Sequence, residues 1–344
     1  MLLNLEKDLA IDMGTSKTII FEKEKGVVVR EPTVVAVDKS SGKITKIGQQ
    51  AEQMIGRTPA KIATLRPVSY SVICDYDIAT TMLKELISRI TSFSFFKPCI
   101  VCCVPSSVTG VEERAVIDAA IEAGARRVFL VENSVATALG AGLDISKPDG
   151  HMIVDIGGGT TEIGVVSEGG VVECESIKIA GQSFDEGIIE YVRKKYNLLI
   201  GKKTAEDLKK SIGCVIQRPD IGIDDIKGRC LATGLPKTVS INSNEIIEAF
   251  VEPMNTILNF IQRVIERTPP ELVGDLDQNG IIVSGGGSLI YGVDRLIERS
   301  TGIKTKMVED PITCAAYGAG KLLSHIETLD EGMRNFSRLR SLKG

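Results

Sequence analysis

The sequence predicts an α/β fold built from two related domains, and three observations support this prediction. The chain has 344 residues, which is more than one hydrophobic core usually organises. A strand–turn–strand unit whose turn begins with Asp occurs near the start of the chain and again near its middle. Around these units strand-like and helix-like segments alternate, as they do when sheets are covered by helices.

The repeated unit reads LAIDMGTSKTIIFE at its first occurrence and HMIVDIGGGTTEIGVV at its second. An apolar strand ends at Asp12 or Asp155, and Gly14 or Gly157 follows two residues later. Two apolar runs joined by a tight turn rich in Gly and Thr predict a β-hairpin. Because the unit is used twice, we expect two domains of related structure.

The segment between the two units predicts two further strands, each followed by a helix. PCIVCCVP has the composition of a buried strand, and Thr109 with Glu112 forms the capping-box pattern of a helix that runs to Gly124. RVFLVEN predicts the next strand, and SVATALGAG predicts the helix after it. This part of the chain therefore alternates strand and helix.

Two short helices are predicted after the second unit. Ser183 with Glu186 marks the start of one, and Thr204 with Asp207 marks the start of the other, which ends near Gly213. Both assignments depend on the capping-box pattern.

A long helix is predicted next, because apolar residues keep helical spacing through the segment before two consecutive prolines. These apolar residues are Ile246, Phe250, Met254, Ile257, Ile261 and Val264, and the prolines are Pro269 and Pro270. GIIVSGGGS then predicts a strand that leads into a glycine turn and a helix.

The composition is that of a globular protein and excludes several classes of function. Hydrophobic residues make up 43% and charged residues 25% of the chain, and no apolar run approaches the ~18 residues of a membrane span. A net charge of −4, without a basic segment interleaved with aromatics, gives no support for nucleic-acid binding. The start, MLLNLEKDLAID, differs from a cleavable signal peptide, so we expect a cytoplasmic protein.

The cysteines and histidines do not indicate a metal, redox or histidine-based site. Several of the eight cysteines fall in apolar strand-like segments, as reduced core residues do. Cys99 and Cys102 form a CxxC pattern, but no second ligand pair lies near it in the sequence. His151 and His325 have no partner residues that would form a catalytic group.

Three glycine-rich turns follow apolar strands: DMGTSK, DIGGGTT and SGGGS. Glycine allows the backbone to approach a ligand closely, so that successive N–H groups can point at phosphate oxygens. Asp12 and Asp155 would then face each other across the phosphates. Two carboxylates there suit Mg²⁺, which binds proteins through one or two acidic groups together with phosphate oxygens. The plain alternative is that each Asp only closes its turn.

The order of the motifs DMGTSKT, ENSVATALGAG, VDIGGGTTEIGVV, SGGGS and DPITCAAYGAG resembles that of the actin, Hsp70 and sugar-kinase superfamily. Within it, the chain resembles the MreB family of rod-shape-determining proteins, which are bacterial actin homologues, over nearly its whole length. The motifs that carry this resemblance are EPTVVAVD, GRTPAKIATLRPV, VPSSVTGVEERAVIDAA, DIGGGTTEIGVVS, RKKYNLLIGKKTAEDLK and SGGGSLIYGVDRLI.

The resemblance implies an actin-like two-domain α/β fold, each domain a mixed sheet flanked by helices with a smaller subdomain inserted. The expected first domain spans 1–142 with a return at 313–330, the second spans 143–312, and a basic tail spans 331–344. The implied protein binds ATP or ADP with Mg²⁺, polymerises with itself into filaments and determines or maintains cell shape.

The resemblance also implies the residues of the nucleotide site. The first domain would hold phosphates with Gly14, Thr15, Ser16 and Lys17, and the second with Gly157, Gly158, Gly159 and Thr160. The adenosine would be approached by Glu206, Asp207, Leu208 and Lys209, and by Gly285, Gly286, Gly287 and Ser288. The alternative for Glu206 and Lys209, one helical turn apart, is a solvated ion pair.

Two positions depart from the family pattern. Lys17 stands where the family usually has Asn, and it either adds a charge near the phosphates or points to solvent. Asn133 stands where the family has a Glu that orients or activates the attacking water, with Thr160 as the second contact of that water. Asn is neutral and cannot act as a base, and neighbouring Glu132 should point elsewhere. We therefore expect weak hydrolysis with intact binding.

Two surface segments are candidates for membrane contact. Phe93, Phe95 and Phe96 lie beside Lys97 in a predicted loop, and MreB proteins commonly bind membrane through a hydrophobic loop in this region. The alternative is that these rings are buried core residues. The tail repeats apolar residues every third position among basic ones, which indicates a basic amphipathic helix, a second membrane contact or a disordered tail.

Other functions of the superfamily fit the sequence less well. A small-molecule kinase needs a substrate-binding acid or specificity insertion that we do not find, and an Hsp70-like chaperone needs a further peptide-binding domain. A scaffold that polymerises on nucleotide without turnover is the alternative mechanism, because Asn133 replaces the residue that would activate the water. A helicity or motility paralogue of a wall-less bacterium would be such a scaffold. Other cell-shape proteins or paralogues are expected partners.

Overall fold

Two five-stranded sheets with the same strand pattern form the framework of the molecule, which a computed structural model describes over residues 7–91 and 96–325. The strands in chain order are β1 Leu9–Met13, β2 Lys17–Glu22, β3 Gly26–Pro32, β4 Val35–Asp38, β5 Ile44–Ile47, β6 Ile62–Leu65, β7 Val68–Ser69, β8 Val72–Ile73, β9 Cys99–Val104, β10 Arg127–Glu132, β11 His151–Ile156, β12 Thr161–Ser167, β13 Gly170–Ile177, β14 Leu198–Leu199, β15 Ile223–Cys230, β16 Pro236–Asn242, β17 Ile281–Ser284 and β18 Thr305–Met307.

The two main sheets have equivalent topology. The first has the order β10-β9-β1-β2-β3, and the second has the order β13-β12-β11-β17-β18. In each, the strand that ends at the Asp is antiparallel to the strand after the turn and parallel to a later strand: β1 pairs with β2 and β9, and β11 pairs with β12 and β17. The two predicted hairpins are therefore confirmed.

Smaller sheets are inserted into each half. A three-stranded sheet of order β5-β4-β6 comes after the hairpin of the first main sheet in sequence. A second three-stranded sheet, of order β14-β15-β16, belongs to the second half of the molecule. β7 and β8 form a separate two-stranded hairpin.

The helices cover the sheets and separate them. They are α1 Gln49–Glu52, α2 Tyr76–Thr91, α3 Gly110–Glu122, α4 Asn133–Gly140, α5 Gly181–Tyr196, α6 Lys202–Ile212, α7 Ser243–Arg267, α8 Pro270–Asn279, α9 Val293–Thr301 and α10 Cys314–Leu322, with 3₁₀ helices at Gly286–Leu289 and Leu323–His325. α2 and α3 contribute to the core of the first sheet, and α5 and α7 to that of the second.

Helices α4 and α10 lie between the two sheets and share one core with both of them. Their backbones touch, because a side chain at Gly140 would collide with the Cys314 carbonyl and one at Gly318 with the Ala136 carbonyl. Glycine at these two positions allows the close approach. The N-terminus of α4, which begins at Asn133, is thereby held at the junction of the two halves.

The helix ends show what local patterns can and cannot predict. The Thr109 and Glu112 capping box is present, and α3 ends just before Gly124. The six apolar residues predicted for the long helix are all buried on α7, although Pro253 lies within it. Pro270 starts α8 as well as following the end of α7.

Two predicted helix starts are wrong. α5 begins at Gly181 because the Gly181 and Gln182 N–H groups donate to the Gly157 and Gly158 carbonyls at 3.1 and 2.8 Å. Ser183 is therefore inside the first turn. α6 begins at Lys202 after the extended Gly201, so Thr204 is not its cap. Tertiary contacts and an extended glycine thus override the capping-box pattern.

Within the described ranges, no helix is both long and apolar enough to cross a membrane. All eight cysteines are free thiols, and Cys99 and Cys102 are buried on β9.

Candidate functional site

A cleft of about 940 Å³ lies between the two main sheets, where their Asp-Gly turns meet. Its lining includes Asp12, Gly14, Thr15, Ser16 and Lys17 from the first turn and Asp155, Gly157, Gly158 and Thr160 from the second. Gly285, Gly286, Gly287 and Ser288 line it from the third glycine turn. The structure therefore brings the three predicted turns to one cavity.

The two Asp-Gly turns are closed in the same way and touch each other. The Gly14 N–H donates to the Lys17 carbonyl at 3.0 Å, and the Gly157 N–H donates to the Thr160 carbonyl at 2.9 Å. A side chain at Gly158 would collide with the Ser16 hydroxyl. The glycines of the second turn are thus needed because the first turn packs against them.

Gly159, which the sequence placed with the phosphate-binding residues, lies against Thr15 rather than in the lining of the cleft. A side chain there would reach the Thr15 hydroxyl. Its role is to let the two turns approach each other.

Three carboxylates that repel one another line the cleft: those of the half-buried Asp12 and Asp155 and that of the buried Glu162. Burial, and then repulsion from Glu162, raises the pKa of Asp12 to about 6. Burial, and then repulsion from Asp12 and Glu162, raises the pKa of Asp155 to about 8. Within the described part of the chain neither Asp forms an ion pair. A group of desolvated carboxylates without a cation is the electrostatic arrangement that favours a bound cation.

Glu162 belongs to this group, although the sequence reasoning did not select it. It is buried on β12, directly opposite Asp155 in the strand pairing. Its carboxylate accepts hydrogen bonds from the Ser106 hydroxyl at 2.6 Å and the Ser134 hydroxyl at 3.0 Å. An acidic residue inside the otherwise apolar run TEIGVV is the feature that could have revealed it.

Asn133 opens α4 and lines the cleft, as the sequence predicted. Its Oδ1 is buried and has no hydrogen-bond partner among the described residues. Glu132, next to it, is buried and is not part of the cleft lining. A buried acceptor without a partner is expected to bind water or ligand, which matches a water-contacting position.

The predicted adenosine residues of α6 divide into two groups. Glu206 and Lys209 line the cleft, but they do not pair with each other. The Lys209 ammonium pairs with the Asp185 carboxylate at 2.7 Å and donates to the Gly181 carbonyl at 2.7 Å. Glu206 pairs with Lys210. The simple alternative of a solvated Glu206–Lys209 pair is therefore wrong.

The other two α6 residues point away from the cleft. The Asp207 carboxylate pairs with Lys203 at 2.8 Å and is 59% exposed. Leu208 is buried in the core of the second half. Their side chains therefore do not line the cavity.

Lys17 lines the cleft and is half-buried. Burial lowers its pKa, and repulsion from Lys210 and Arg30 lowers it further. An anion in the cleft would relieve this cost of the charged form.

The sequence reasoning also missed the tip of the β7–β8 hairpin. Ser71 lines the cleft, and its hydroxyl lies 2.7 Å from the Thr160 hydroxyl. Its N–H donates to the Thr15 hydroxyl at 2.9 Å. The hairpin has no Asp or Gly that would have marked it.

Of the predicted membrane contacts, Phe93, Phe95 and the tail 331–344 lie outside the described residues. Phe96 is 50% exposed.

Comparison with known proteins gives a consistent result. The profile of the MreB/Mbl protein family matches residues 6–331. The chain is 44% identical to the Escherichia coli cell shape-determining protein MreB over 326 residues, which cover 93% of this chain and 94% of the relative. It is 43% identical to the Bacillus cereus cell shape-determining protein Mbl over 324 residues, with 94% and 97% covered.

The fold is similar to that of Spiroplasma citri MreB5 bound to ADP, with a TM-score of 0.91, 35% identity, and 95% of this chain and 99% of that chain covered. The same protein bound to AMPPNP also gives a TM-score of 0.91. The predicted actin-like two-domain α/β fold is therefore confirmed.

Proposed function

The chain belongs to the MreB/Mbl family, and from this premise we propose that it is an ATP-binding cytoskeletal protein. It polymerises into membrane-associated filaments and determines or maintains cell shape. The E. coli and B. cereus relatives are cell shape-determining proteins, which supports this role.

The observation that carries the proposal is the pair of facing Asp-Gly turns, which line one cleft together with the carboxylates of Asp12, Asp155 and Glu162. The turns offer backbone N–H groups and the hydroxyls of Thr15 and Ser16 to phosphate oxygens. The α6 residues Glu206 and Lys209 and the turn 285–288 approach the adenosine. Binding of ADP and AMPPNP by S. citri MreB5 supports a nucleotide here.

Asp12 and Asp155 fit a Mg²⁺ site, because desolvation, and then repulsion between the carboxylates, raises the pKa of both, and a bound cation would offset these costs of the charged forms. No group of three acidic, His or Cys side chains among the described residues has direct metal-binding geometry. Mg²⁺ held by one or two carboxylates, water and phosphate oxygens needs no such group. Bound Mg²⁺ would neutralise charge on the phosphates.

Hydrolysis is weak in this proposal. Asn133 and Thr160 would contact the attacking water, but a neutral amide cannot accept its proton. The same observation favours a second candidate, a scaffold that assembles on nucleotide without significant turnover. A small-molecule kinase is the least supported member of the superfamily.

The filaments would lie on the cytoplasmic face of the membrane. Phe93, Phe95 and Phe96 with Lys97 supply apolar and basic contacts, and the basic tail 331–344 supplies a second contact. Other cell-shape proteins are the proposed partners beside the protein itself. The proposed domain limits are 1–142 with 313–330, and 143–312; the packing of α10 against α4 and the first sheet supports the return.

Three measurements on the full chain test the function. ATP titration measures binding, sedimentation with ATP, ADP or no nucleotide measures polymerisation, and phosphate release measures turnover. We expect binding, nucleotide-dependent pelleting and slow release. A filament without release would favour the scaffold, release only with a cosubstrate would favour a kinase, and absence of binding would contradict the proposal.

The membrane contact has its own test. Replacement of Phe93, Phe95 and Phe96 by Ser should reduce co-sedimentation with anionic liposomes, because it removes the apolar groups that enter the bilayer surface. Equal lipid binding by the triple variant would assign the contact to the tail.

A further inference from the structure

The hairpin β7–β8 has a backbone that its sequence does not favour. Its strands pair Val68 with Ile73 and Ser69 with Val72, which leaves a two-residue loop of Tyr70 and Ser71. Both loop residues have positive φ, 50° and 59°. Such loops normally use Asn and Gly, because positive φ strains other residues. Strain of this kind persists where surrounding contacts hold it, often at functional sites.

The contacts that hold this loop reach both halves of the molecule. The Ser71 N–H donates to the Thr15 hydroxyl of the first turn at 2.9 Å. The Ser71 hydroxyl lies 2.7 Å from the Thr160 hydroxyl of the second turn. The Tyr70 ring lies 5.3 Å from the Lys178 ammonium, which follows β13. The loop therefore spans the cleft beside the predicted phosphate and water positions.

The Ser71–Thr160 hydrogen bond determines how the Thr160 hydroxyl can be used. A hydroxyl has one proton to donate and two lone pairs. If Thr160 donates to Ser71, its lone pairs remain for a water; if Thr160 accepts from Ser71, its proton remains for another acceptor. In both cases the Ser71 hydroxyl removes the free rotation of the Thr160 hydroxyl.

We propose that Ser71 is a positioning residue for ATP hydrolysis, acting through Thr160 on the attacking water. This inference rests on the proposed nucleotide function. In the reaction, the water oxygen bonds to the γ-phosphorus while the bond from that phosphorus to the β,γ-bridging oxygen breaks. The bonding electron pair leaves with ADP, and the water gives a proton to an oxygen of the released phosphate.

The position of the attacking water matters more in this chain than it would if a general base stood at position 133. The acceptor that Asn133 offers is its neutral amide oxygen, which is buried and has no partner among the described residues. It can orient a water by accepting a hydrogen bond but cannot take its proton. The Thr160 hydroxyl is the second contact, so its orientation contributes directly to the attack geometry.

The test compares two glycine substitutions at neighbouring strained positions of the full-length protein. Ser71→Gly removes the hydroxyl and relieves positive φ. Tyr70→Gly relieves the same kind of strain and keeps the Ser71 hydroxyl. Phosphate release is measured against ATP concentration with saturating Mg²⁺, and ATP affinity is measured separately with AMPPNP.

We expect Ser71→Gly to lower kcat about 10-fold with KM and AMPPNP affinity changed less than about 2-fold. Tyr70→Gly should keep kcat within about 2-fold of the wild type. An equal loss in both variants would assign the effect to the loop backbone and overturn the proposal. Unchanged kcat in Ser71→Gly would also overturn it, as would wild-type protein that binds AMPPNP but releases no phosphate. Absence of AMPPNP binding would instead contradict the proposed nucleotide function.

Discussion

The first turn, residues 12–17, and the second, residues 155–160, have the same backbone closure and complementary surfaces. In each, a glycine N–H donates to a carbonyl three residues later, at 3.0 and 2.9 Å. The first turn carries the hydroxyl side chains of Thr15 and Ser16, and the second carries Gly158 and Gly159, against which those side chains lie. Two copies of one unit that face each other cannot both carry side chains at the contact. The difference in sequence between the repeats therefore follows from their packing.

The carboxylates of the two turns also differ. The pKa of Asp12 is raised to about 6 and that of Asp155 to about 8, in both cases mainly by burial. The repulsion between Asp12 and Asp155 acts on both carboxylates, and Glu162 repels each of them as well. A bound cation would relieve this repulsion in both turns.

The largest expected effect comes from breaking the complementarity of the turns. In Gly158→Ala the new methyl group would collide with Ser16. Overpacking of this kind costs up to about 3 kcal/mol, so ATP affinity should fall by roughly 100-fold if the turns must touch to hold phosphates. Isothermal titration calorimetry measures the ATP affinity of the variant and of the wild type.

Gly274→Ala is the matched control, because Gly274 lies within α8 and a methyl group there meets open space. It should leave affinity unchanged. Full ATP affinity in Gly158→Ala would show that the turns can separate without loss of the site.

The second prediction concerns Asp155 and pH. A carboxyl whose pKa is raised on folding holds its proton in the folded state, so stability falls as pH rises from the unfolded pKa toward the folded one. For Asp155 that window runs from 3.8 to about 8, and for Asp12 from 3.8 to about 6. Between pH 6 and 8 the larger part of this loss of stability therefore comes from the Asp155 carboxyl.

Nucleotide-free and metal-free wild type should lose about 2 kcal/mol of unfolding free energy between pH 6 and 8 through Asp155. Asp155→Asn should lack this loss, whereas Asp12→Asn should keep most of it because burial is the main cause of the Asp155 shift. Urea denaturation at the two pH values measures it. Equal pH dependence in Asp155→Asn and wild type would mean that the carboxylate is solvated or already paired.

The parts of the site that are local in sequence could be predicted, and those formed by tertiary contact could not. Asp12 and Asp155 end apolar strands and precede glycine turns, so their neighbours in sequence identify them. Glu162 becomes a member of the carboxylate group only because strand pairing sets it opposite Asp155. Ser71 is brought to Thr160 by a hairpin 89 residues away in sequence, with no glycine to mark it.

The same distinction explains the helices. The Thr109 and Glu112 cap forms because both partners lie within one turn. The start of α5 moves to Gly181 because the second turn, residues 155–160, supplies carbonyl acceptors for the first N–H groups of the helix. The site therefore determines where this helix begins, which a local pattern cannot show.

The third prediction restores a charged acceptor beside the second turn. Asn133→Glu places a carboxylate where Asn133 lines the cleft, so phosphate release should rise about 10-fold or more, equivalent to at least ~1.4 kcal/mol of barrier. ATP affinity should change little, because the group acts on the water. Rapid phosphate release by the wild type, or a variant that binds ATP without faster release, would mean that another residue activates the attacking water.

The smallest expected loss of ATP affinity should come from replacing Lys17, the charged residue of the first turn, by Thr, the residue at the equivalent position of the second turn. Lys17 and Thr160 each supply the carbonyl that closes their turn, so Lys17→Thr preserves the backbone. Burial, and then repulsion from Lys210 and Arg30, disfavours the Lys17 charge, and a triphosphate would offset part of this repulsion. The net loss of ATP affinity should therefore be modest, about 3-fold or ~0.7 kcal/mol, with a weaker dependence of affinity on salt.

Lys46→Thr, on the exposed face of β5, controls for a general change in protein charge and should alter neither quantity. Tighter ATP binding by Lys17→Thr would show that repulsion within the cleft outweighs attraction to the phosphates, and that the first turn binds through its backbone and hydroxyls alone.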